Sequence, residues 1–252
     1  MIINAPTTDH IPALRELWKQ AFGDTDAFLD GFFRTGFSPD RCRCVFWDDQ
    51  PIAAHYWFNC DWQDKKIAYL YAVATDVNCR GQGLCRALIE NTHLYLKLQG
   101  YTGTVLVPGS PDLAAMYKKL GYKIFCYAQS STVFAAAPAI AVTAISPLEF
   151  AQKRPSHLPE NAVIHGTDSF AFLETFCHFY EGENFLLCAA REENTLHIQE
   201  FLGDTKKLPG ILTALKAEKA NVRLPGSNAP FAMYHSLTDD PSTPAYFGIA
   251  LD

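Results

Sequence analysis

This chain is short of positive charge. Lys and Arg number 21 against 27 Asp and Glu, a formal net charge of −6, and no local run of basic residues breaks that balance. Holding a nucleic-acid backbone needs clustered cations, so neither nucleic acid nor an anionic membrane surface is expected as a partner. Long apolar runs are missing as well, and nothing approaches the roughly 18 to 20 residues that cross a bilayer. The opening MIINAPTTDH has neither the basic nor the apolar part of a signal peptide, so a soluble, cytoplasmic protein is expected. Eight cysteines stand at 42, 44, 60, 79, 85, 126, 177 and 188 without a CxxC pair, and no HxxxH pair exists. They read as small buried hydrophobes and not as a disulfide framework or zinc site, and no metal is expected.

What the chain does have is apolar substance. With 252 residues and 48% hydrophobic side chains, it is long enough to bury one large core or two small ones, and wholesale disorder is excluded. A short strand over 1–5 precedes a helix whose stripe is Leu14, Leu17, Trp18 and Ala21, with Asp9 as N-cap and Gly23 as stop. A second helix over 26–33 ends near Gly36, and strands over 41–47 and 52–59 form a hairpin around Asp48, Asp49 and Gln50. The run IAYLYAVAT, 67–75, is too apolar for a one-sided strand and predicts a central one. A Gly-bearing turn then leads into a helix stopped by Gly100, a strand over 104–108, a helix over 111–120 and a strand over 122–134. That order implies a mixed α/β sheet.

From 134 to 163 the composition shifts toward Ala and Pro and predicts a connector with one strand and a short helix. Beyond it come a helix over 168–180, a hairpin of 185–191 with 195–202, a helix over 208–218, a strand over 221–224 and a closing strand over 245–251. The two halves echo one another. VLVPGSPDLAAMY, beginning at Val105, and VRLPGSNAPFAMY, beginning at Val222, share seven of 13 positions without a gap, which points to a duplicated domain.

The chemistry concentrates where the central strand hands over to its helix, at Arg80-Gly81-Gln82-Gly83-Leu84-Cys85. The first N–H groups of a helix lack internal partners and carry the positive end of its dipole, so such a turn can hold a phosphate. Gly81 and Gly83 would let the ligand approach the backbone, and Arg80 adds a charge. By themselves the glycines fit an ordinary tight turn equally well. There is no GxGxxG, and no Lys-Ser or Lys-Thr pair follows these glycines, which disfavours a nucleotide-binding module.

The string VATDVNCRGQGLCRAL, starting at Val73, resembles the coenzyme A motif of the GNAT superfamily of N-acetyltransferases, Arg/Gln-x-x-Gly-x-Gly/Ala, with Cys85 in place of the final small residue. LAAMYKKLGY, starting at Leu113, resembles the second family motif, and the pattern is also similar to the enhanced-intracellular-survival branch. The resemblance covers about residues 1–135. It implies a GNAT-type mixed, splayed sheet flanked by helices over 1–135; the composition makes 136–163 the connector, and the internal echo without an Arg-x-x-Gly-x-Gly/Ala string predicts a smaller, degenerate GNAT-like α/β domain over 164–252 without a cofactor motif. That second domain is expected to cover the acceptor side or a homodimer face.

The resemblance further implies acetyl-CoA as co-substrate and direct attack by the primary amine of a small molecule or Lys side chain. Val73, Ala74 and Thr75 would pair with the pantetheine arm through their backbone, and Arg80, Gly81, Gln82, Gly83, Leu84, Cys85 and Arg86 would hold the pyrophosphate, with Ser110 and Asp112 also beside the cofactor. Tyr117 is the implied general acid. For the base the matching strand offers Tyr69 and Tyr71 instead of a carboxylate; His55 on the previous strand and Asp61 or Asp64 beyond it are candidates, and the similarity to the enhanced-intracellular-survival branch adds Asp252 through its C-terminal carboxylate. The acidic balance favours cationic acceptors such as polyamines or aminoglycosides. The competing expectation is a non-catalytic acyl-CoA-binding sensor or scaffold.

Overall fold

The computed structural model describes residues 1–227 and 229–251. In chain order the elements are β1 (Ile2–Asn4), α1 (Ile11–Phe22), α2 (Asp26–Thr35), β2 (Cys42–Trp47), β3 (Gln50–Trp62), β4 (Lys65–Thr75), α3 (Leu84–Leu98), β5 (Gly103–Leu106) and α4 (Pro111–Lys119). There follow β6 (Lys123–Phe134), β7 (Thr143–Ile145), α5 (Pro147–Lys153), β8 (Ile164–His165), α6 (Thr167–Leu173), β9 (His178–Gly182), β10 (Phe185–Glu192), β11 (Thr195–Leu202), α7 (Leu208–Ala214), β12 (Lys219–Pro225) and β13 (Ala229–Ser236). They fall into two compact units, one of Met1–Lys123 with Met233–Thr243 and one of Ile124–Ala232 with Pro244–Asp252.

In the first unit the strands run β1-β2-β3-β4-β5, closed by residues 233–236 of β13. Neighbours are antiparallel except β4 and β5. The hairpin turn between β2 and β3 puts Asp48 and Asp49 at φ 46° and 62°, the left-handed pair that matches strand twist. Gly23 stops α1 at φ 75°, donating to the Lys19 carbonyl. Asp9 lies in a short 3-10 turn ahead of α1, and His10, not Asp9, is the helix N-cap. On one face of the sheet the α1 and α2 stripes meet β3 and β4. Trp18 and Phe32 lie 5.3 Å and 4.9 Å from the Tyr56 ring, and Trp18 lies 5.6 Å from Tyr71. Burying such side chains contributes about 1.5–3 kcal/mol each. On the opposite face Leu84 and Leu88 of α3 pack on Val45 and Ala53.

The second unit has the strand order β6-β12-β11-β10-β9-β7, again with one parallel pair, β11 and β12. Its core joins Phe185, Leu187, Leu196, Ile198, Ala220 and Val222 of the sheet to Leu208, Ile211 and Leu212 of α7. The structure draws the division differently from the expected 1–135, 136–163 and 164–252. Strand β6 and the Ala/Pro-rich stretch belong to the second unit, and 233–243 return to the first. Within 136–163 the expected strand and short helix are β7 and α5.

Three expectations for the second half are corrected. The helix over 168–180 ends at Leu173, because the chain from His178 is drawn into a sheet between β10 and β7. The helix from 208 ends at Ala214, since Lys219 already pairs with Thr195. Among the described residues, 245–251 form no strand and are joined to the rest by a backbone pairing of Tyr246 with Ala162. The internal echo holds through its strands and Pro-Gly-Ser and then fails. In the first copy Ser110 caps α4 by accepting from the Leu113 amide at 3.2 Å, with Pro111 in its first turn, whereas the second copy passes into strand β13. The shared Ala-Met-Tyr therefore falls on a helix once and on a strand once.

Candidate active site

The site is built where two parallel strands part. The β4–β5 ladder consists of Ile67 opposite Gly103, Ala68 opposite Thr104 and Tyr69 opposite Val105. Beyond Tyr69 the β4 edge that faced β5 is open, although β4 runs on to Thr75. There β4 also carries an extra residue. Ala54 pairs with Ala74 and Tyr56 with Tyr71, so Ala72 and Val73 together oppose His55. Ala72 sits at φ 49°, a left-handed conformation costing about 1–2 kcal/mol for a residue with a side chain. A bulge of this kind re-aims the adjoining peptides, and strain of this kind collects at functional sites. Sequence reasoning missed it; its one trace is the break in alternation after Tyr69 and Tyr71.

From Thr75 the chain turns into α3. Asp76 accepts from the Asn78 amide at 2.8 Å, and Gln20 of α1 accepts from the Val77 amide at 3.0 Å, a brace the sequence did not reveal. Gly81 and Gly83 lie at φ 75° and 79°, with open space where a Cβ would stand. Gly83 is the N-cap of α3, which gives that end no side-chain cap of its own among the described residues; the helix ladder starts with the Ala87 amide on the Gly83 carbonyl. The first-turn amides of a 15-residue helix thus end on a glycine surface open to a ligand. Arg80 is exposed and donates from Nε to the Thr75 carbonyl at 3.1 Å, while Arg86 is exposed 3.8 Å from Glu90. Gln82 is exposed in the turn, and Leu84 puts its side chain into the core. These groups fit an anionic ligand.

Tyr117 is buried on α4, its ring 5.7 Å from Tyr122. Burial, and to a lesser degree Cys85, pushes its phenol well above the ordinary value, so it stays protonated. Burial pushes the Cys85 thiol up to about 11, so it carries no thiolate near neutrality. Ser110 is engaged as the α4 cap, and Asp112 is exposed in that helix's first turn. His55 is fully buried, 2.7 Å from the Thr92 hydroxyl, and burial pushes its pKa down to about 3. Opposite the bulge in register, it ties β3 to α3 through Thr92 and is held neutral by burial. Asp252 lies outside the described residues.

Residues 3–125 match the family model of a GNAT acetyltransferase domain. The fold of the chain is similar to that of a GCN5-related N-acetyltransferase from Kribbella flavida (TM-score 0.71, 15% identity, 94% of this chain and 72% of that one). It is similar to Eis1 from Mycobacterium abscessus (0.68, 11%, 94% and 74%) and to a tandem GNAT protein from the clavulanic acid biosynthesis pathway (0.56, 10%, 94% and 98%). No curated protein sequence matches the chain. Among the described residues no helix is long and apolar enough to cross a membrane.

Proposed function

We propose that the chain is a GNAT-type acyltransferase, on the match of residues 3–125 to the acetyltransferase domain model, and that it moves an acetyl group from acetyl-CoA to a primary amine of a small molecule or a Lys side chain. The observation that carries this reading is the meeting of the open, bulged edge of β4 with the glycine-lined N-terminus of α3. Acetyl-CoA supplies the activated acyl group. The backbone of Val73, Ala74 and Thr75 holds the pantetheine arm, and an amide of this strand donates to the oxygen that gains charge as the amine attacks. Donors held in place beforehand are worth more than ones that must reorganise. The turn from Arg80 to Arg86 holds the pyrophosphate on amides and helix dipole. Tyr117 delivers a proton to the departing thiolate; burial raises its pKa, so the phenol carries that proton at neutral pH. The net charge of −6 favours cationic acceptors, polyamines and aminoglycosides among them.

Calorimetric titration with acetyl-CoA, followed by turnover on an amine panel, tests the reading. Tyr117→Phe is expected to lower kcat about 100- to 10,000-fold while leaving the acetyl-CoA Kd unchanged. Full turnover in that variant removes Tyr117 from the chemistry, and no acetyl-CoA binding by the parent protein ends the proposal.

A further inference from the structure

A second tyrosine holds Tyr117 in place. Tyr117 lies in the last turn of α4, and the chain leaves that helix through Gly121 at φ 88°. The Tyr122 amide donates back to the Tyr117 carbonyl at 3.1 Å, and the Gly121 amide donates to the Lys118 carbonyl at 3.0 Å. In this kind of helix ending, the residue after the left-handed one packs on the residue whose carbonyl it caps. Here both are tyrosines, and their rings meet edge to face, centroids 5.7 Å apart at 67°. Tyr122 is 2% exposed, so its ring cannot leave that contact without emptying buried space.

The far end of Tyr122 is anchored too. Its hydroxyl lies 2.8 Å from the Thr104 hydroxyl and 2.9 Å from His93 Nε2, and Thr104 Oγ1 is itself 3.3 Å from that nitrogen. Burial pushes the Tyr122 phenol up, so it stays protonated. Burial, and then His235 stacked 4.3 Å away, pushes His93 down to about 3, so its imidazole is neutral. A neutral imidazole can accept from the phenol, and the phenol oxygen can accept from Thr104. Thr104 stands on β5, one residue short of where β4 and β5 part, and His93 stands on α3, whose N-terminus is the glycine-lined end. The Tyr122 hydroxyl thereby ties the position of Tyr117 to the strand and the helix that bound the opening.

We propose that Tyr122 is a positioning residue for proton delivery by Tyr117, its hydroxyl fixing that phenol against β5 and α3 through Thr104 and His93. This rests on the acetyl-transfer reading, and its test separates the two.

The test compares the full chain with Tyr122→Phe, Tyr117→Phe and the double variant, using acetyl-CoA with spermidine as the probe amine. Tyr122→Phe keeps the ring contact and the helix-ending backbone bonds and removes only the anchored hydroxyl. It should lower kcat about 10- to 100-fold, the loss that a small misplacement of a reacting group brings, with the spermidine KM and the acetyl-CoA Kd unchanged. In the Tyr117→Phe background the same change should cost nothing further, because its effect runs through the Tyr117 hydroxyl; a merely structural loss would recur there. Thr104→Val should lower kcat in the same pattern, and it carries the test if Tyr122→Phe does not fold. With tyrosine labelled with carbon-13 at Cζ, the Tyr117 resonance, assigned by its absence in Tyr117→Phe, should shift or broaden in Tyr122→Phe and in Thr104→Val, a readout that needs no acceptor amine. Full turnover in Tyr117→Phe overturns the role of Tyr117 in the acetyl transfer and this proposal with it. With Tyr117→Phe impaired, a parental kcat in folded Tyr122→Phe, a further loss in the double variant, or an unmoved Tyr117 resonance overturns the proposal alone.

Discussion

In the first unit β4 leaves its parallel partner after Tyr69, in the second β11 does so after Ile198, and a bulge follows in both. What comes next differs. After β4 the chain runs through two left-handed glycines into a 15-residue helix whose N-cap is Gly83. After β11 a 3-10 turn capped by Asp204 leads into a seven-residue helix that follows Lys207 and has Pro209 in its first turn. Residues 245–248 line the second opening, with the Phe247 carbonyl tied to Arg154 and the Tyr246 hydroxyl to Glu200. The lesson is that parting strands make an opening, and local chain chemistry decides what fills it. A free helix end suits a phosphate, whereas the second opening is crossed by a buried ion pair, Arg154 with Glu200, and a peptide tied to it.

The strongest way to break the comparison is to unlock the second opening. Arg154→Ala strands the Glu200 carboxylate in a buried site and should lower stability by about 3–5 kcal/mol. At about 2–4 °C per kcal/mol for a chain of this size, a thermal melt reads that as a drop of roughly 10 °C. The Arg154→Met, Glu200→Leu pair should recover most of it, since removing both charges removes the stranded one.

Protonation probes the first unit. Burial holds the His55 and His93 pKa values near 3, well below the unfolded value of about 6.5. Between those values the unfolded chain binds protons that the folded chain does not. The stability of the neutral histidines is therefore complete above about pH 6.5 and is lost progressively as pH falls toward 3. Melts across this window should show it, and His93→Gln should flatten the slope by about 1.4 kcal/mol per pH unit.

A smaller effect is expected at the helix end. Gly83→Ala puts a side chain at φ 79°, a strain of about 1–2 kcal/mol, and should weaken acetyl-CoA binding about tenfold. Lys207→Gln, at the N-cap of α7, should leave that Kd unchanged, and an equal loss there would erase the distinction between the two openings. The least effect belongs to Cys85→Ala. Its thiol is pushed up to about 11 and supplies no nucleophile, so kcat at neutral pH should stay within about twofold of the parent.

Much of the first unit was legible in the sequence because its signals are local. Gly23 stops α1, Asp48 and Asp49 turn the β2–β3 hairpin, and Ser110 with Pro111 starts α4. The second half misled where tertiary pairing overrode local pattern. Residues 178–180 have an apolar stripe that fits a helix, yet they are edge-paired by β10 and β7. The run 229–236 copies the letters of α4 and is a strand. The His55 and Ala72 arrangement was also invisible, since burial and bulge position depend on which residues lie opposite.

The sequence by itself determined the alternation of strands and helices, the glycine turn ahead of α3 and the placement of Tyr117 on a helix, because capping, backbone freedom and side-chain periodicity act within a few residues. Only the tertiary structure decided where each parallel pair parts, which strand bulges, and that Arg154, Glu200 and Phe247 meet across 93 residues of chain. Those outcomes follow from register and burial, which are settled only when distant segments compete for the same partners.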